Sequence, residues 1–129
     1  MRRKRLTAVA AVSAAAAGLA AWAGVSSPQP ASAASTVKKV RMFDNYYSPA
    51  KLTIHKGQRV QWVWPSDVGD SHDVKLKKGP KGVKKFQSPP FATAAKWPVK
   101  PMTFKTSGTY KLYCTFHQTE MTMTITVKP

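Results

Sequence analysis

Cysteine and acidic residues are scarce in this sequence. Its 129 residues include one cysteine, Cys114, and five Asp or Glu residues. A single cysteine excludes a disulfide within the chain, so the fold must depend on its hydrophobic core. An unpaired cysteine in an exported protein must pair with another molecule or serve another task, and binding a metal ion is one such task.

The first 33 residues predict a secretory signal peptide. Residues 1–5 are a positive cluster, an Ala-rich apolar run follows at 6–25, and 26–35 contains small residues and two prolines. This order is typical of an export signal, with cleavage after Ala33 or, alternatively, Ala34. The paired arginines permit twin-arginine export as well as the general secretory route. A retained membrane anchor is the competing interpretation, but the alanine and glycine content argues against it.

Positive charge dominates the remainder of the chain. Removing residues 1–33 leaves 129 − 33 = 96 residues, which is one domain, residues 34–129. This domain keeps 17 of the 21 Lys and Arg residues and all five acids, so its net charge is 17 − 5 = +12. Such a charge attracts acidic surfaces. Nucleic acid is not an expected partner, because no nucleic-acid-binding motif is present and export removes the protein from the cytoplasm.

Alternating apolar and polar residues predict seven or eight short β-strands. The predicted strands lie at 37–43, 51–55, 60–64, from His72 to 77, around Met102 and Phe104, at 109–114 and at 121–128. Residues 45–49 and 78–82 are predicted as a loop and a turn. Three prolines exclude a long helix between residues 83 and 98, where only a helical turn at 92–96 fits. This pattern predicts an all-β sandwich.

Strand alternation brings several unusual side chains to one end of this sandwich. Cys114 is the last inward residue of one predicted strand, and Met121 is the first inward residue of the next. His72 opens its own strand on the inward face and Asp73 follows on the outward face. The same alternation turns His55 towards solvent, so His55 is interpreted as a surface residue.

A thiol, an imidazole and a thioether lie within eight residues, at Cys114, His117 and Met121. Soft sulfur and borderline imidazole ligands together suit copper better than calcium, magnesium or a four-cysteine zinc site. Three ligands make an incomplete site, and His72 is the natural fourth because His55 lies in a different context. A buried cysteine or methionine alone is usually core. The combination with an export signal favours copper.

These residues resemble the cupredoxins, the small blue copper proteins that include plastocyanin, amicyanin and pseudoazurin. The similarity covers most of residues 34–129: a Val-x-Trp-Val strand after a Lys-Gly turn, a His followed by an x-Val strand, a Gly-Thr-Tyr-x-x-Tyr-Cys run and a final Thr-x-Thr-Val strand. The resemblance implies a Greek-key β-sandwich that binds one type 1 copper ion. It also implies two imidazole ligands, a thiolate and a weak axial thioether, which are His72, His117, Cys114 and Met121.

Two positions depart from the family pattern. Three residues separate His117 from Met121, where the amicyanin type has two and the plastocyanin type four, so Met123 is a rival for the axial position. Asp73 stands where plastocyanins and azurins commonly have asparagine. Asp73 is predicted to accept the hydrogen bond from Thr115 that ties the two ligand loops together, and its charge is predicted to favour Cu(II) and to lower the reduction potential.

The resemblance implies a carrier of single electrons, which is not an enzyme. The alternative is copper storage or delivery with the same ligands. In either role the exported protein is expected outside the cytoplasm, in the periplasm or extracellular space. The partner of a carrier with a charge of +12 is expected to be a redox protein with an acidic surface. The processed protein is expected to be a monomer without a membrane span, with His117 exposed near Phe116 and Pro65.

Overall fold

The computed structural model describes Gly24 and residues 36–129. These residues form eight strands and no helix: β1 (Val37–Phe43), β2 (Tyr46–Ser48), β3 (Lys51–His55), β4 (Arg59–Trp64), β5 (Lys75–Lys78), β6 (Ala95–Thr103), β7 (Gly108–Tyr113) and β8 (Thr122–Lys128). The predicted all-β sandwich is confirmed. The predicted signal peptide, residues 1–33, lies outside the described residues except for Gly24. No described helix is long and apolar enough to cross a membrane.

Two mixed sheets of four strands form the sandwich. One has the order β2-β1-β4-β6 and the other β3-β8-β7-β5. The pairs β1–β4 and β3–β8 are parallel, and the remaining pairs are antiparallel. The inward residues of both sheets make one core, whose largest buried side chains include Trp62, Trp64, Met42, Leu112 and Ile125. Burial of Met42, Leu112 or Ile125 contributes about 1.5–3 kcal/mol for each side chain.

Two short segments differ from the prediction because strand pairing overrides the local sequence signal. The predicted loop at 45–49 contains β2, which pairs with β1 through a two-residue turn at Asp44 and Asn45. Asn45 has a φ of 69°, a left-handed conformation that asparagine tolerates in tight turns. The predicted helical turn at 92–96 instead leads into β6, where Trp97 pairs with Trp62 of β4.

The strand predicted to start at His72 begins three residues later, at Lys75. His72 forms only an isolated bridge, to Phe91. Asp73, predicted to face outward, is only 1% exposed. The prediction was wrong because residues 72–74 are not part of a regular ladder, and strand alternation therefore does not govern the direction of their side chains.

Candidate metal centre

Three metal-binding side chains meet at one end of the sandwich. The sulfur of Cys114 lies 3.9 Å from Nδ1 of His72 and 3.9 Å from Nδ1 of His117. All three donor atoms lie within 4.8 Å of one another. The two imidazole rings are 5.0 Å apart between centroids and tilted by 43°. Among the described residues, these donors form a single cluster of His, Cys, Asp or Glu that could hold a metal ion.

The spacing of the donors fits a first-row metal ion in a trigonal site. Bonds of about 2.3 Å to sulfur and about 2.0 Å to nitrogen, at about 120°, would separate the two ligand atoms by about 3.7 Å. The observed sulfur–nitrogen distances of 3.9 Å are close to this value. Two imidazoles with one thiolate are the trigonal donors of a type 1 copper site.

The ends of β7 and β8 determine where Cys114 and Met121 lie. In the ladder between these strands Leu112 pairs with Met123 and Tyr113 pairs with Thr122. One step further, the amide of Cys114 donates to the carbonyl of Met121 at 3.0 Å. Met121 is buried beside Cys114 at the end of the ladder. Met123 lies two residues further into the core.

Backbone hydrogen bonds also fold the intervening loop over this end. The amide of His117 donates to the carbonyl of Cys114 at 3.3 Å, and the amide of Met121 donates to the carbonyl of His117 at 2.9 Å. The loop therefore turns back within the four residues that follow His117. Three intervening residues suffice to connect His117 with Met121, the residue before β8.

His72 is held in position although it lies outside a regular strand. Its amide and carbonyl exchange two hydrogen bonds with Phe91, both 3.0 Å long. The indole Nε1 of Trp64, the last residue of β4, donates to the same carbonyl at 3.0 Å. The backbone of His72 is thus bound to two other segments of the chain, and its side chain is completely buried.

Asp44 determines which nitrogen of His72 is free. Its carboxylate lies 3.1 Å from Nε2 of His72 and also accepts a hydrogen bond of 3.0 Å from the amide of Gly69. The hydrogen bond with His72 holds the pKa of Asp44 below its ordinary value of 3.8. An ionised carboxylate only accepts, so Nε2 is the donor of this bond. In the neutral imidazole the lone pair is then on Nδ1, which faces Cys114. Asp44 was not predicted from the sequence as a partner of His72, because the two residues are 28 positions apart and only the fold brings them together.

Asp73 connects the two segments that carry the donors. Its carboxylate accepts hydrogen bonds from the amide and the hydroxyl of Thr115, each 2.7 Å long, and from the side-chain amide of Gln87 at 2.9 Å. The phenol of Tyr47 donates to the backbone carbonyl of Asp73 at 2.8 Å. The predicted bond between Asp73 and Thr115 is confirmed, and these bonds explain why a carboxylate is buried here.

The donors differ in their access to solvent. His72 and Cys114 are buried, His117 is partly buried, and its neighbour Phe116 is 53% exposed. Burial raises the pKa of the Cys114 thiol above its ordinary value of 9.0. Since a metal ion binds the thiolate, metal binding at neutral pH is expected to release this proton.

The three clustered donors are among the residues predicted from the sequence, and His55, predicted to be a surface residue, lies apart from them. His55 is exposed, and its Nδ1 lies 3.4 Å from the carbonyl oxygen of Pro129. It pairs with Lys128 at the far end of β8. His55 therefore lies at the opposite end of the sandwich from Cys114.

Known protein structures share this fold. One of the matching structures is a copper-containing nitrite reductase from Thermus scotoductus, which is 25% identical, with a TM-score of 0.61. The match covers 73% of this chain but only 23% of the reductase chain. A purple cupredoxin from Nitrosopumilus maritimus is 26% identical, with a TM-score of 0.56 over 70% of this chain and 98% of its own. A reduced amicyanin variant is 24% identical, with a TM-score of 0.60 over 80% and 95% of the two chains.

Sequence comparison assigns the family. None of the curated protein sequences matches this chain. The profile of copper-binding proteins of the plastocyanin/azurin family matches residues 33–128, which is most of the chain and includes all three clustered donors. The chain therefore belongs to the plastocyanin/azurin family of copper-binding proteins.

Proposed function

We propose that this protein is an exported carrier of single electrons whose copper ligands are His72, Cys114, His117 and Met121. The observation that carries the proposal is the meeting of one thiol and two imidazole nitrogens within 4.8 Å, in a chain of a copper-binding family. When bound, copper would supply a one-electron couple between Cu(I) and Cu(II). The proposal assigns no catalytic step to this chain.

The surrounding residues support a site that keeps its geometry. Asp44 and the two backbone partners hold His72, and Asp73 joins the His72 segment to Thr115 next to Cys114. Ligands held by such outer bonds move little when the charge of the metal changes. His117 is the least buried of the three clustered donors, and its neighbour Phe116 is exposed.

Met121 is the proposed axial ligand in preference to Met123. The register supports this choice, because Met121 lies opposite Cys114 whereas Met123 lies opposite Leu112. Met42 and Met123 are core residues, and Met102 is only partly buried but packs against the core. Their positions do not favour the alternative of copper storage, which would require additional ligands near the surface.

The optical spectrum after addition of Cu(II) tests the proposal. We expect an intense visible band from charge transfer between the thiolate and copper, and Cys114→Ser removes it because serine offers no sulfur. A protein that stays colourless with Cu(II) contradicts the proposal.

A matched pair of variants tests the axial ligand. Met121→Leu is expected to shift the band and the reduction potential. Met123→Leu is expected to preserve both and to cost less than about 1.5 kcal/mol of stability, as volume-conserving core substitutions do. The opposite result would assign Met123 to the site.

The expected partner is a redox protein with an acidic contact face. The net charge of +12 on residues 34–129 supports this expectation. Association driven by opposite charges weakens as the salt concentration rises.

A further inference from the structure

Acidic and basic residues occupy different parts of the molecule. The turn 44–45 and the loops 65–74 and 114–121 meet around the donor cluster and are called the metal end here. The metal end contains no Lys or Arg. It contains all five acids, which are Asp44, Asp67, Asp70, Asp73 and Glu120. All 17 Lys and Arg residues of positions 34–129 therefore lie elsewhere.

The exposed acids make the metal end unsuitable for an acidic partner. Asp67, Asp70 and Glu120 are exposed, and the side chain of Asp44 is 52% exposed. An acidic surface that approached His117 would meet these like charges, which are costly when brought together. The acidic partner that the net charge attracts must therefore dock on another face.

The densest group of positive charges lies along the edge strand β5. This lysine flank consists of Lys75, Lys77, Lys78, Lys81, Lys84 and Lys85. Residues 79–88 turn back along β5, since Lys75 bridges Gln87 and the amide of Leu76 donates to the carbonyl of Phe86 at 3.0 Å. The ammonium of Lys85 donates to the carbonyl of Lys77. This turn places the later lysines beside the earlier ones.

Nothing acidic in the described part of the chain balances the lysine flank. No acid occurs between Asp73 and Glu120, and none of the six lysines forms an ion pair within residues 36–129. In addition, Lys78 pairs with Lys111 of β7. Like charges opposite each other in a ladder are destabilising. The arrangement costs stability in the free protein, and an acidic partner would relieve that cost.

The flank also lies close to the proposed copper site. Lys75 pairs with Tyr113, the residue before Cys114, and the ammonium of Lys77 lies 5.9 Å from the centre of the Tyr113 ring. A protein bound to the flank would therefore lie beside the strand that leads to Cys114.

We propose that the acidic redox partner docks on the lysine flank along β5 and not on the metal end. This inference rests on the proposed function for the nature of the partner. The charge complementarity itself depends only on the positions of the lysines and acids.

Two variants of equal net charge test the location. The flank variant carries Lys77→Gln, Lys81→Gln and Lys84→Gln, and the control carries Lys39→Gln, Lys56→Gln and Lys100→Gln. All six side chains are exposed, and each variant lowers the charge of the full chain from +16 to 16 − 3 = +13. The probe is a poly-glutamate peptide, titrated into the metal-free and the Cu(I)-loaded full chain and followed by amide chemical shifts.

We expect the shift changes to cluster at residues 75–85 and 111–113. The flank variant should bind the peptide about fivefold to tenfold more weakly than the parent, and the control less than about twofold. Equal weakening of both variants would overturn the proposal in favour of net charge alone. Shift changes concentrated at Asp67, Asp70 and Glu120 would overturn it in favour of the metal end.

A second titration separates an acidic protein from an anionic membrane. Vesicles of phosphatidylglycerol and phosphatidylcholine replace the peptide, and we expect weaker binding to them. Strong vesicle binding without peptide binding would overturn the proposal. Failure to bind copper in the same samples would contradict the proposed function but leave the test of the docking surface intact, because the peptide titration does not require the metal.

Discussion

At the scale of single residues, the side chains around the donors are as informative as the donors. Asp44 leaves Nδ1 of His72 free for a metal ion, and Asp73 binds the backbone and hydroxyl of Thr115. The two carboxylates differ in their surroundings, because Asp44 is exposed and Asp73 is buried. A buried negative charge near copper acts with little screening by solvent.

Asp73→Asn is expected to raise the reduction potential. Loss of the buried charge favours Cu(I) over Cu(II), and a tenfold change in the ratio of their affinities corresponds to on the order of 60 mV for one electron. Cyclic voltammetry of the copper-loaded protein measures this change. Asp70→Asn is the control, because it removes a charge from an exposed loop at the same end. An unchanged or lowered potential in Asp73→Asn would argue against a role for this charge.

At the scale of elements, the turns at the other end of the sandwich must accommodate close approaches. Gly108 begins β7 with a φ of 133°, and a Cβ atom there would lie 2.7 Å from Cγ of Pro80. Gly82 also has a positive φ, of 84°, but nothing lies within 4 Å of its Cβ position. The two glycines thus separate the effect of backbone conformation from the effect of a clash.

Gly108→Ala is expected to destabilise the protein more than Gly82→Ala. Each substitution forces alanine into a left-handed conformation at a cost of about 1 kcal/mol, and the clash at Gly108 adds to that cost. Urea denaturation of both variants measures the difference in the free energy of unfolding. Equal losses would mean that Pro80 moves aside without cost.

At the scale of the whole molecule, burial of tyrosine phenols makes the free energy of unfolding depend on pH in the alkaline range. Burial raises the pKa of the Tyr110 phenol above its ordinary value of 10.0. Burial likewise raises the pKa of Tyr47 far above the ordinary range. Both phenols ionise more readily in the unfolded chain. Their contribution to stability is complete below about pH 10 and is lost as the pH rises towards the folded-state pKa.

Tyr110→Phe is therefore expected to flatten the decline in stability above pH 10. The difference in the free energy of unfolding between parent and variant, measured by urea denaturation at several pH values from 8 to 12, isolates this phenol from the titration of the lysines. Tyr46→Phe, which alters an exposed ring, serves as the control and should preserve the decline. A Tyr110→Phe profile parallel to that of the parent would refute the coupling.

The sequence by itself determined the β-sandwich and the three clustered donors. Strand alternation identifies inward positions without knowledge of the fold. Thiol and imidazole side chains can be recognised in the sequence as metal ligands. Alternation failed at Asp73 because the chain there leaves the regular ladder. Only the tertiary structure brought Asp44 to His72, 28 residues away. It also separated the acids of the metal end from the lysines of β5, because net charge is a sum over the chain whereas recognition depends on where each charge lies.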